Sequence, residues 1–177
     1  MNNIERIKAT LKVVPDFPKP GISFKDITPL LANAEMFKIT IDELINLVKD
    51  VKFDVVVGLE SRGFWFGVSI AQRLGLPFVP IRKKGKLPRP TVEASYQLEY
   101  GTDYIQVHKE DIPAGANVLI VDDIIATGGT ILATQKLMQQ LNAKVEHALV
   151  LAYLEELAFG PENIEKAGIK VHSLLKL

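Results

Sequence analysis

Cysteine is absent from this 177-residue chain, and its charges cancel. Without cysteine the protein has no disulfides, thiolate metal sites or thiol nucleophiles. Basic residues number 21 and acidic residues number 21, so no overall field draws the molecule to nucleic acid or anionic lipid. Any affinity for phosphate must therefore be local.

Long apolar runs are also missing. No stretch approaches the roughly 20 consecutive apolar residues that cross a bilayer. The N-terminus, MNNIERIKATLKVV, alternates charged with apolar residues and lacks the apolar core of a secretory signal. The sequence therefore predicts a mature, cytoplasmic protein with neither nucleic acid nor a membrane as partner.

Short apolar strands alternate with helical patterns along the chain. Strands are predicted at 55–57, 78–81, 118–121, 146–154 and 170–174, and helices at 34–51, 68–74, 130–141 and 162–167. Alternating residues at 91–98 and 104–107 favour a hairpin. The pattern indicates an α/β fold with a mostly parallel sheet covered by helices on both faces, and ligands beyond the carboxyl ends of its strands.

Two segments are rich in helix breakers. The first, 15–31, follows a short N-terminal amphipathic helix and contains three prolines and a glycine before Ile22, which favours a long structured loop. The second, RKKGKLPRPT at 82–91, is basic and has two prolines, which favours a mobile loop. No linker divides the chain, so a single domain over 1–177 is expected.

The most informative segment is VLIVDDIIATGGT, at 118–130. An apolar strand delivers Asp122 and Asp123 to its carboxyl end, where carboxylates can accept hydrogen bonds from vicinal sugar hydroxyls. The turn that follows has only small side chains, so its backbone N–H groups can converge on an anion at a helix N-terminus. Its residues are Ala126, Thr127, Gly128, Gly129 and Thr130. Together these features predict a ribose 5-phosphate site.

The same segment also has a plain structural interpretation. Asp122 and Asp123 could be N-terminal helix charges, and Gly128-Gly129 an ordinary turn. That leaves unexplained why two adjacent carboxylates end an apolar strand, a costly arrangement if they were buried unpaired. The segment matches neither GxxxxGK[ST] nor GxGxxG, so other common nucleotide loops are excluded.

At these residues the chain resembles the type I phosphoribosyltransferases. Further segments, FPKPGISFKDITPLL, LESRGFWFG, IRKKGKLPRPT and ASYQLEYG, are similar to the adenine branch of that family, in its order and spacing. The resemblance implies the type I phosphoribosyltransferase fold: a mostly parallel twisted sheet flanked by helices, an N-terminal hood (1–31) and a flexible lid (82–102). It also implies transfer of the 5-phosphoribosyl group of phosphoribosyl pyrophosphate (PRPP) to adenine, with AMP and pyrophosphate as products.

The resemblance implies that the adenine base binds under the hood. Ser23, Phe24 and Lys25 match residues that cover adenine, with the Phe24 ring stacking on the base and backbone groups reading its edge. Many family members carry arginine at the position of Lys25, and lysine lacks a planar bidentate fork. The change is harmless if only the backbone amide is used. The alternative for Phe24 is an ordinary core position.

The resemblance assigns pyrophosphate to Glu60, Ser61 and Arg62, in a loop where a non-proline cis peptide turns backbone amides toward the leaving group. Arg62 supplies charge there, unless it is a solvated surface residue. The resemblance implies that Arg82 and Lys86 of the lid also contact pyrophosphate. The alternative is that the basic stretch is simply solvated.

The lid also holds the implied acid/base group. Glu99 of LEYG matches the carboxylate that exchanges a proton with the adenine imidazole nitrogens, and Tyr100 beside it belongs to the lid. One such positioned group typically contributes about 10²–10⁴-fold to the rate. A surface glutamate is the alternative.

The resemblance implies Mg²⁺ as cofactor, bound mainly through PRPP oxygens, and no protein residue is predicted as a metal ligand. His108, His147 and His172 are far apart in the sequence and show no ligand spacing, so each is expected to be an ordinary strand or surface residue. The resemblance and the apolar FWFG segment predict a homodimer, with Trp65 in the core or the interface.

Two other functions stay open. The chain could use hypoxanthine, guanine or xanthine instead of adenine, because base choice rests on a few hydrogen bonds. It could also be a PRPP-sensing regulator on the same fold, although the zero net charge and the lack of length for a DNA-binding domain disfavour that.

Overall fold

The computed structural model describes residues 1–97 and 101–177. They form a seven-stranded sheet, a separate two-stranded sheet, and helices. The strands are β1 (Lys12–Val14), β2 (Phe24–Asp26), β3 (Val55–Leu59), β4 (Phe78–Lys83), β5 (Thr91–Gln97), β6 (Thr102–His108), β7 (Asn117–Ile125), β8 (Lys144–Tyr153) and β9 (Lys170–Lys176). The helices are α1 (Asn3–Thr10), α2 (Thr28–Leu31), α3 (Ala34–Leu47), α4 (Gly63–Leu74), α5 (Gly129–Gln140) and α6 (Phe159–Lys166), with a 3₁₀ turn at Glu155–Leu157.

The large sheet has the order β5-β6-β4-β3-β7-β8-β9. The five strands from β4 to β9 in that order are parallel, whereas the β5–β6 hairpin is antiparallel and joins β4 through β6. The predicted mostly parallel sheet and the predicted hairpin are therefore confirmed. Helix α4 leads from β3 to β4, on one side of the central β3–β7 pair, and α5 leads from β7 to β8, on the other side. The direction in which the chain adds strands therefore reverses between β3 and β7.

Helices cover both faces of this sheet. On one face, apolar residues of α1, α3 and α4 pack with alternate sheet residues such as Val56, Leu119 and Leu149. On the other face, α5 and Ile164 of α6 pack with the intervening residues such as Val57, Ile120 and Val150. Because both faces are buried, β3 and the first half of β7 are almost wholly apolar.

Local sequence sets several helix boundaries. The Asn2 side chain accepts from the N–H of Glu5, and the Glu5 carboxylate accepts from the N–H of Asn2, which is a capping box for α1. Asn33 caps α3 as predicted, accepting from the N–H of Met36. Gly75 ends α4 in the left-handed conformation.

The structure differs from the sequence prediction in the two breaker-rich segments. The N-terminal loop contains β2 and α2, and β2 pairs with β1 in an antiparallel sheet. In the segment predicted as a lid, Arg82 and Lys83 belong to β4 and pair with β6, and β5 begins at Thr91. The irregular connection is thus shorter than predicted.

None of the helices in the described ranges combines the length and the apolar character that crossing a bilayer requires.

Candidate active site

The reversal of chain direction between β3 and β7 locates the candidate site. In open α/β sheets, ligands bind outside the carboxyl ends of strands at such a switch point. The segments that leave these two strands are 60–62, before α4, and 126–128, before α5. Both had been singled out by their sequence, and the fold places them next to each other.

The turn after β7 forms a small cavity of about 110 Å³, lined mainly by residues 124–131 together with Asp122. Gly128 adopts φ 83°, a left-handed conformation that favours glycine, and serves as N-cap of α5. Ala126 and Thr127 are exposed, and Gly129 and Thr130 are half-buried. The cavity at the N-terminus of a 12-residue helix suits an anionic group.

Helix α6 supports this turn from behind. A Cβ atom on Gly160 would lie only 2.0 Å from the carbonyl oxygen of Ala126, and a Cβ on Gly128 would lie 3.0 Å from the carbonyl oxygen of Gly160. The side chain of Ile164 is also 3.0 Å from that Gly128 position. Helix α6 and the turn are therefore in close backbone contact.

The two adjacent aspartates occupy different environments within β7. Asp123 is 3 % exposed, whereas Asp122 is half-buried and accepts from the N–H of Asp123 at 2.9 Å. Burial raises the pKa of Asp122 well above its ordinary value, and the charge of Asp123 adds to this. Burial also raises the pKa of Asp123, although the Arg62 guanidinium partly offsets it.

Arg62 and Asp123 form an ion pair, with Nε 2.9 Å from Oδ2. The contact is not aligned as a hydrogen bond, and within the described ranges Oδ2 has no hydrogen-bond donor although it is buried. The charge of the Arg62 guanidinium therefore holds the buried Asp123 carboxylate. The pair also excludes the solvated-surface alternative for Arg62 and the helix-charge alternative for Asp123.

The loop after β3 has the backbone that the family resemblance implied. The peptide bond between Glu60 and Ser61 is cis, and Ser61 is exposed. Helix α4 begins at Gly63, where a Cβ atom would lie 2.7 Å from the carbonyl oxygen of Val121 and 2.9 Å from Asp122 Oδ1. Glycine at this position therefore allows the loop to approach the aspartates.

Glu60 collects three donors around its carboxylate. It accepts from Arg82 Nε at 3.0 Å, from the backbone N–H of Lys83 at 2.6 Å and from Lys86 Nζ at 2.9 Å. Burial by itself would raise the pKa of Glu60, but these hydrogen bonds outweigh it and lower the pKa to about 2. The two lid cations named from the sequence are thus held beside the 60–62 loop.

The hood residues reach the same crevice. Phe24 is half-buried rather than a core residue, its ring lies edge-on to Phe17 with centroids 5.2 Å apart, and the Arg62 guanidinium lies 5.3 Å from its centroid. The Lys25 ammonium is 3.4 Å from the hydroxyl of Ser23. The hood, the 60–62 loop and β7 therefore meet at Arg62.

Some predicted residues fall elsewhere. Glu99 and Tyr100 lie outside the described residues. Trp65 is 43 % exposed, so it is not a core residue. His147 and His172 are strand residues, as expected. They lie in β8 and β9, whose parallel pairing makes them neighbours, and their ring nitrogens are 2.9 Å apart in a hydrogen bond.

Tyr96, which lies beside the turn, and its partners Asp103 and Lys83 were not predicted as site residues from the sequence. Tyr96 of β5 lies next to the Gly129 backbone, and its hydroxyl donates to Asp103, which also pairs with Lys83. The alternation of β5 places Tyr96 on the inward face with Ala94. An inward tyrosine usually needs a partner for its hydroxyl, and that signal could have identified it.

Comparison with known proteins agrees with this geometry. A family model described as "Phosphoribosyl transferase domain" matches residues 26–171. The adenine phosphoribosyltransferase of Vibrio vulnificus is 49% identical over 173 residues, which cover 98% of this chain and 95% of that protein.

Solved structures of adenine phosphoribosyltransferases superpose on nearly the whole chain. The protein from Thermoanaerobacter pseudethanolicus has a TM-score of 0.93 and 44% identity, with 98% of this chain and 99% of that chain covered. The Saccharomyces cerevisiae protein, complexed with D-2,5-dideoxy-2,5-imino-altritol 1,6-bisphosphate and adenine, has a TM-score of 0.89 and 42% identity, with 98% of each chain covered.

Proposed function

The chain belongs to the adenine branch of the phosphoribosyltransferase family, and from that premise we propose which residues carry out the family's reaction. The reaction transfers the 5-phosphoribosyl group of PRPP to adenine and gives AMP and pyrophosphate, in purine salvage. The observation that carries the assignment of residues is the Arg62–Asp123 ion pair, because it joins the hood, the 60–62 loop and β7 around one crevice.

The 5-phosphate of PRPP binds in the turn 126–130. Backbone N–H groups at the start of α5 and the hydroxyls of Thr127 and Thr130 face a phosphate there. The carboxylates of Asp122 and Asp123 accept hydrogen bonds from the two ribose hydroxyls. Both carboxylates belong to the last part of β7, just before the turn, and the Arg62 guanidinium holds that of Asp123 in place.

Pyrophosphate binds against the backbone of Glu60 and Ser61, with Arg62 beside it. Arg82 and Lys86 complete this site. Both are held by Glu60 at hydrogen-bonding distance, so they are close to the position where negative charge accumulates as the C1–O bond breaks. The pyrophosphate oxygens then compete with Glu60 for these two donors.

Adenine binds under the hood with Phe24 against its face, and backbone groups of 23–25 read its edge. As pyrophosphate leaves, the ribosyl carbon acquires oxocarbenium character, and adenine N9 attacks it. Glu99 accepts the proton that N9 loses. Because water would capture the ribosyl cation, the lid must exclude solvent during transfer.

Glu99 and Tyr100 are proposed from their sequence alone. Exchange of Glu99 for glutamine keeps the size of the side chain and removes the base. We expect Glu99→Gln to lower kcat by about 10²–10⁴-fold while the dissociation constant of PRPP stays close to that of the wild type. Turnover equal to the wild type would remove Glu99 from this role.

Mg²⁺ is proposed as the cofactor, bound mainly through PRPP oxygens. The cation prefers oxygen ligands and keeps several waters, so the PRPP oxygens can supply its ligands without a dedicated protein residue. When bound, it neutralises charge on the leaving pyrophosphate. Calorimetric titration of PRPP into the protein, once in Mg²⁺ buffer and once in EDTA buffer, tests this proposal. Equal affinity of the protein for PRPP in the two buffers would contradict it.

We also propose a cytoplasmic location and a homodimer. For the dimer, the support is an apolar groove lined by Leu31, Phe37, Phe64, Trp65, Val68 and Ser69, to which the exposed Trp65 and Val68 contribute. Cell fractionation checks the location, and recovery in the membrane pellet would contradict it.

The choice of base is tested by turnover with PRPP, Mg²⁺ and each purine in turn. We expect adenine to give the highest kcat/KM, because the hood and LEYG segments match the adenine branch. Preference for guanine, hypoxanthine or xanthine would make the chain an enzyme for another purine. Absence of turnover together with tight PRPP binding would favour the PRPP-sensing regulator.

A further inference from the structure

Tyr96 contacts the turn that we propose as the 5-phosphate site. It lies in β5, in the hairpin added at the edge of the sheet. Its Cδ2 atom is 3.7 Å from the position that a Cβ on Gly129 would occupy, and the ring is half-buried. The ring therefore forms part of the wall against which the start of α5 rests.

The hydroxyl of Tyr96 is fixed by a charged partner. It donates to Asp103 Oδ2 at 3.1 Å, and Lys83 Nζ lies 3.0 Å from the same oxygen. The hydrogen bond from Lys83 lowers the pKa of Asp103, and burial raises the pKa of Tyr96, as does its hydrogen bond to Asp103. Asp103 is thus a carboxylate and Tyr96 a neutral phenol, so the direction of the hydrogen bond is set.

A side-chain hydrogen bond with Thr130, in the turn itself, lowers the pKa of Tyr96, although burial and Asp103 outweigh it. At the other end of the cluster, the backbone N–H of Lys83 donates to Glu60 at 2.6 Å. Polar contacts therefore run from Glu60 through Lys83, Asp103 and Tyr96 to Thr130. They join the loop proposed for pyrophosphate to the turn proposed for the 5-phosphate.

We infer that Tyr96 is a positioning residue for the 5-phosphate turn, which it orients through its ring on Gly129 and its hydroxyl between Asp103 and Thr130. This inference rests on the proposed function, since it presumes that the turn binds the phosphate. A role limited to packing would need the ring only. A positioning role needs the hydroxyl as well, and the two roles can be separated by one oxygen atom.

The test compares Tyr96→Phe with the wild type in steady-state assays that vary PRPP and adenine separately. Tyr104→Phe is the matched control, because it removes a tyrosine hydroxyl from the same hairpin at a side chain that is 39% exposed. We expect the KM for PRPP and the dissociation constant of AMP to rise about tenfold in Tyr96→Phe, which is the effect of losing one hydrogen bond to a charged group. The KM for adenine and the melting temperature should stay near their wild-type values.

Asp103→Asn is a second variant, because it removes the charge that orients the hydroxyl and keeps the shape. It should raise the KM for PRPP in the same direction, with Tyr104→Phe unchanged. Wild-type values for PRPP in Tyr96→Phe overturn the inference, as does an equal rise in both KM values with a lower melting temperature. If the wild-type protein itself neither binds nor turns over PRPP, the proposed function fails first and the inference falls with it.

Discussion

Glu60, in the 60–62 loop, binds cationic residues of β4 and of the connection that follows it. Three donors surround its carboxylate, from Arg82, Lys83 and Lys86, and they hold its pKa at about 2. Such a depressed pKa stabilises the folded state at pH values above the ordinary glutamate pKa of 4.5, and this stabilisation is lost as the pH falls toward about 2.

The stability of Glu60→Gln relative to the wild type should therefore depend on pH. We expect the wild type to be the more stable protein above pH 4.5, with the difference shrinking as the pH falls toward about 2. Urea denaturation at a series of pH values measures it, with Glu156→Gln at an exposed position as control. A difference that does not change across this range would show that the lowered pKa is not linked to folding.

At this scale the sequence predicted the identity of several residues but not their contacts. Glu60, Arg62, Arg82 and Lys86 were named for pyrophosphate from a family resemblance. That Glu60 binds the two lid cations, and that Arg62 pairs with Asp123, depends on how β3, β4 and β7 are placed side by side. Local sequence carries no signal for such long-range pairing.

Among the contacts between elements, helix α6 and the turn before α5 approach each other so closely that a side chain larger than that of glycine does not fit between them. The backbone of Gly160 lies against Ala126, so that a side chain at Gly160 would strike a carbonyl oxygen. Alanine ordinarily favours a helix over glycine. If exchange of Gly160 for alanine lowers the stability, the loss must therefore come from this backbone contact rather than from helix propensity.

Gly160→Ala should push α6 away from the turn. We expect a loss of about 1–3 kcal/mol of stability and weaker binding of AMP, measured by denaturation and calorimetry. Gly168→Ala, at φ 85° in open space just beyond α6, is the control. It should cost about 1 kcal/mol through backbone strain and leave AMP binding unchanged. Equal AMP affinity in both variants would show that α6 does not influence the proposed phosphate site.

Element prediction succeeded where apolar periodicity is long and failed where it is short. The helix predicted over 34–51 is present as α3 with its Asn33 cap, although it ends at Leu47. The strands β1 and β2 span three residues each, in a proline-containing part of the chain, and are held by pairing with each other. Three residues are too few to show a period, so the N-terminal sheet could not be predicted.

For the whole molecule, the apolar groove beside α4 points to self-association. Trp65 is 43% exposed and Val68 is 50% exposed, and both line the groove with Phe37 and Phe64. Exposed apolar patches of this kind mark interaction sites. The proposed homodimer buries them against a second copy.

Light scattering should therefore give a mass of twice 19.6 kDa. Val68→Glu places a charge in the groove and should shift the protein toward the monomer, since an unpaired buried charge is costly. Phe159→Glu, at another exposed apolar residue outside the groove, is the control and should leave the mass unchanged. A monomeric wild type would contradict the dimer.

The layering of the sheet could be predicted from the sequence, whereas the order of its strands could not. Apolar strands alternating with helices predicted a mostly parallel sheet with both faces covered, and the structure confirms it. The order of the strands is not contained in their periodicity, which reports the buried faces of an element but not its neighbours. The inward alternation of β5 could have marked Tyr96 as a residue that needs a partner, but its place beside the turn depends on the pairing of β6 with β4.

Calorimetric titration of PRPP into the folded protein in magnesium buffer tests most directly whether the aspartates and the turn after β7 bind a phosphorylated ribose. We expect a saturable heat of binding for the wild type, and an affinity at least about tenfold weaker when Asp122 and Asp123 are both exchanged for asparagine. Absence of binding by the folded wild type, or equal affinity in the variant, would contradict it.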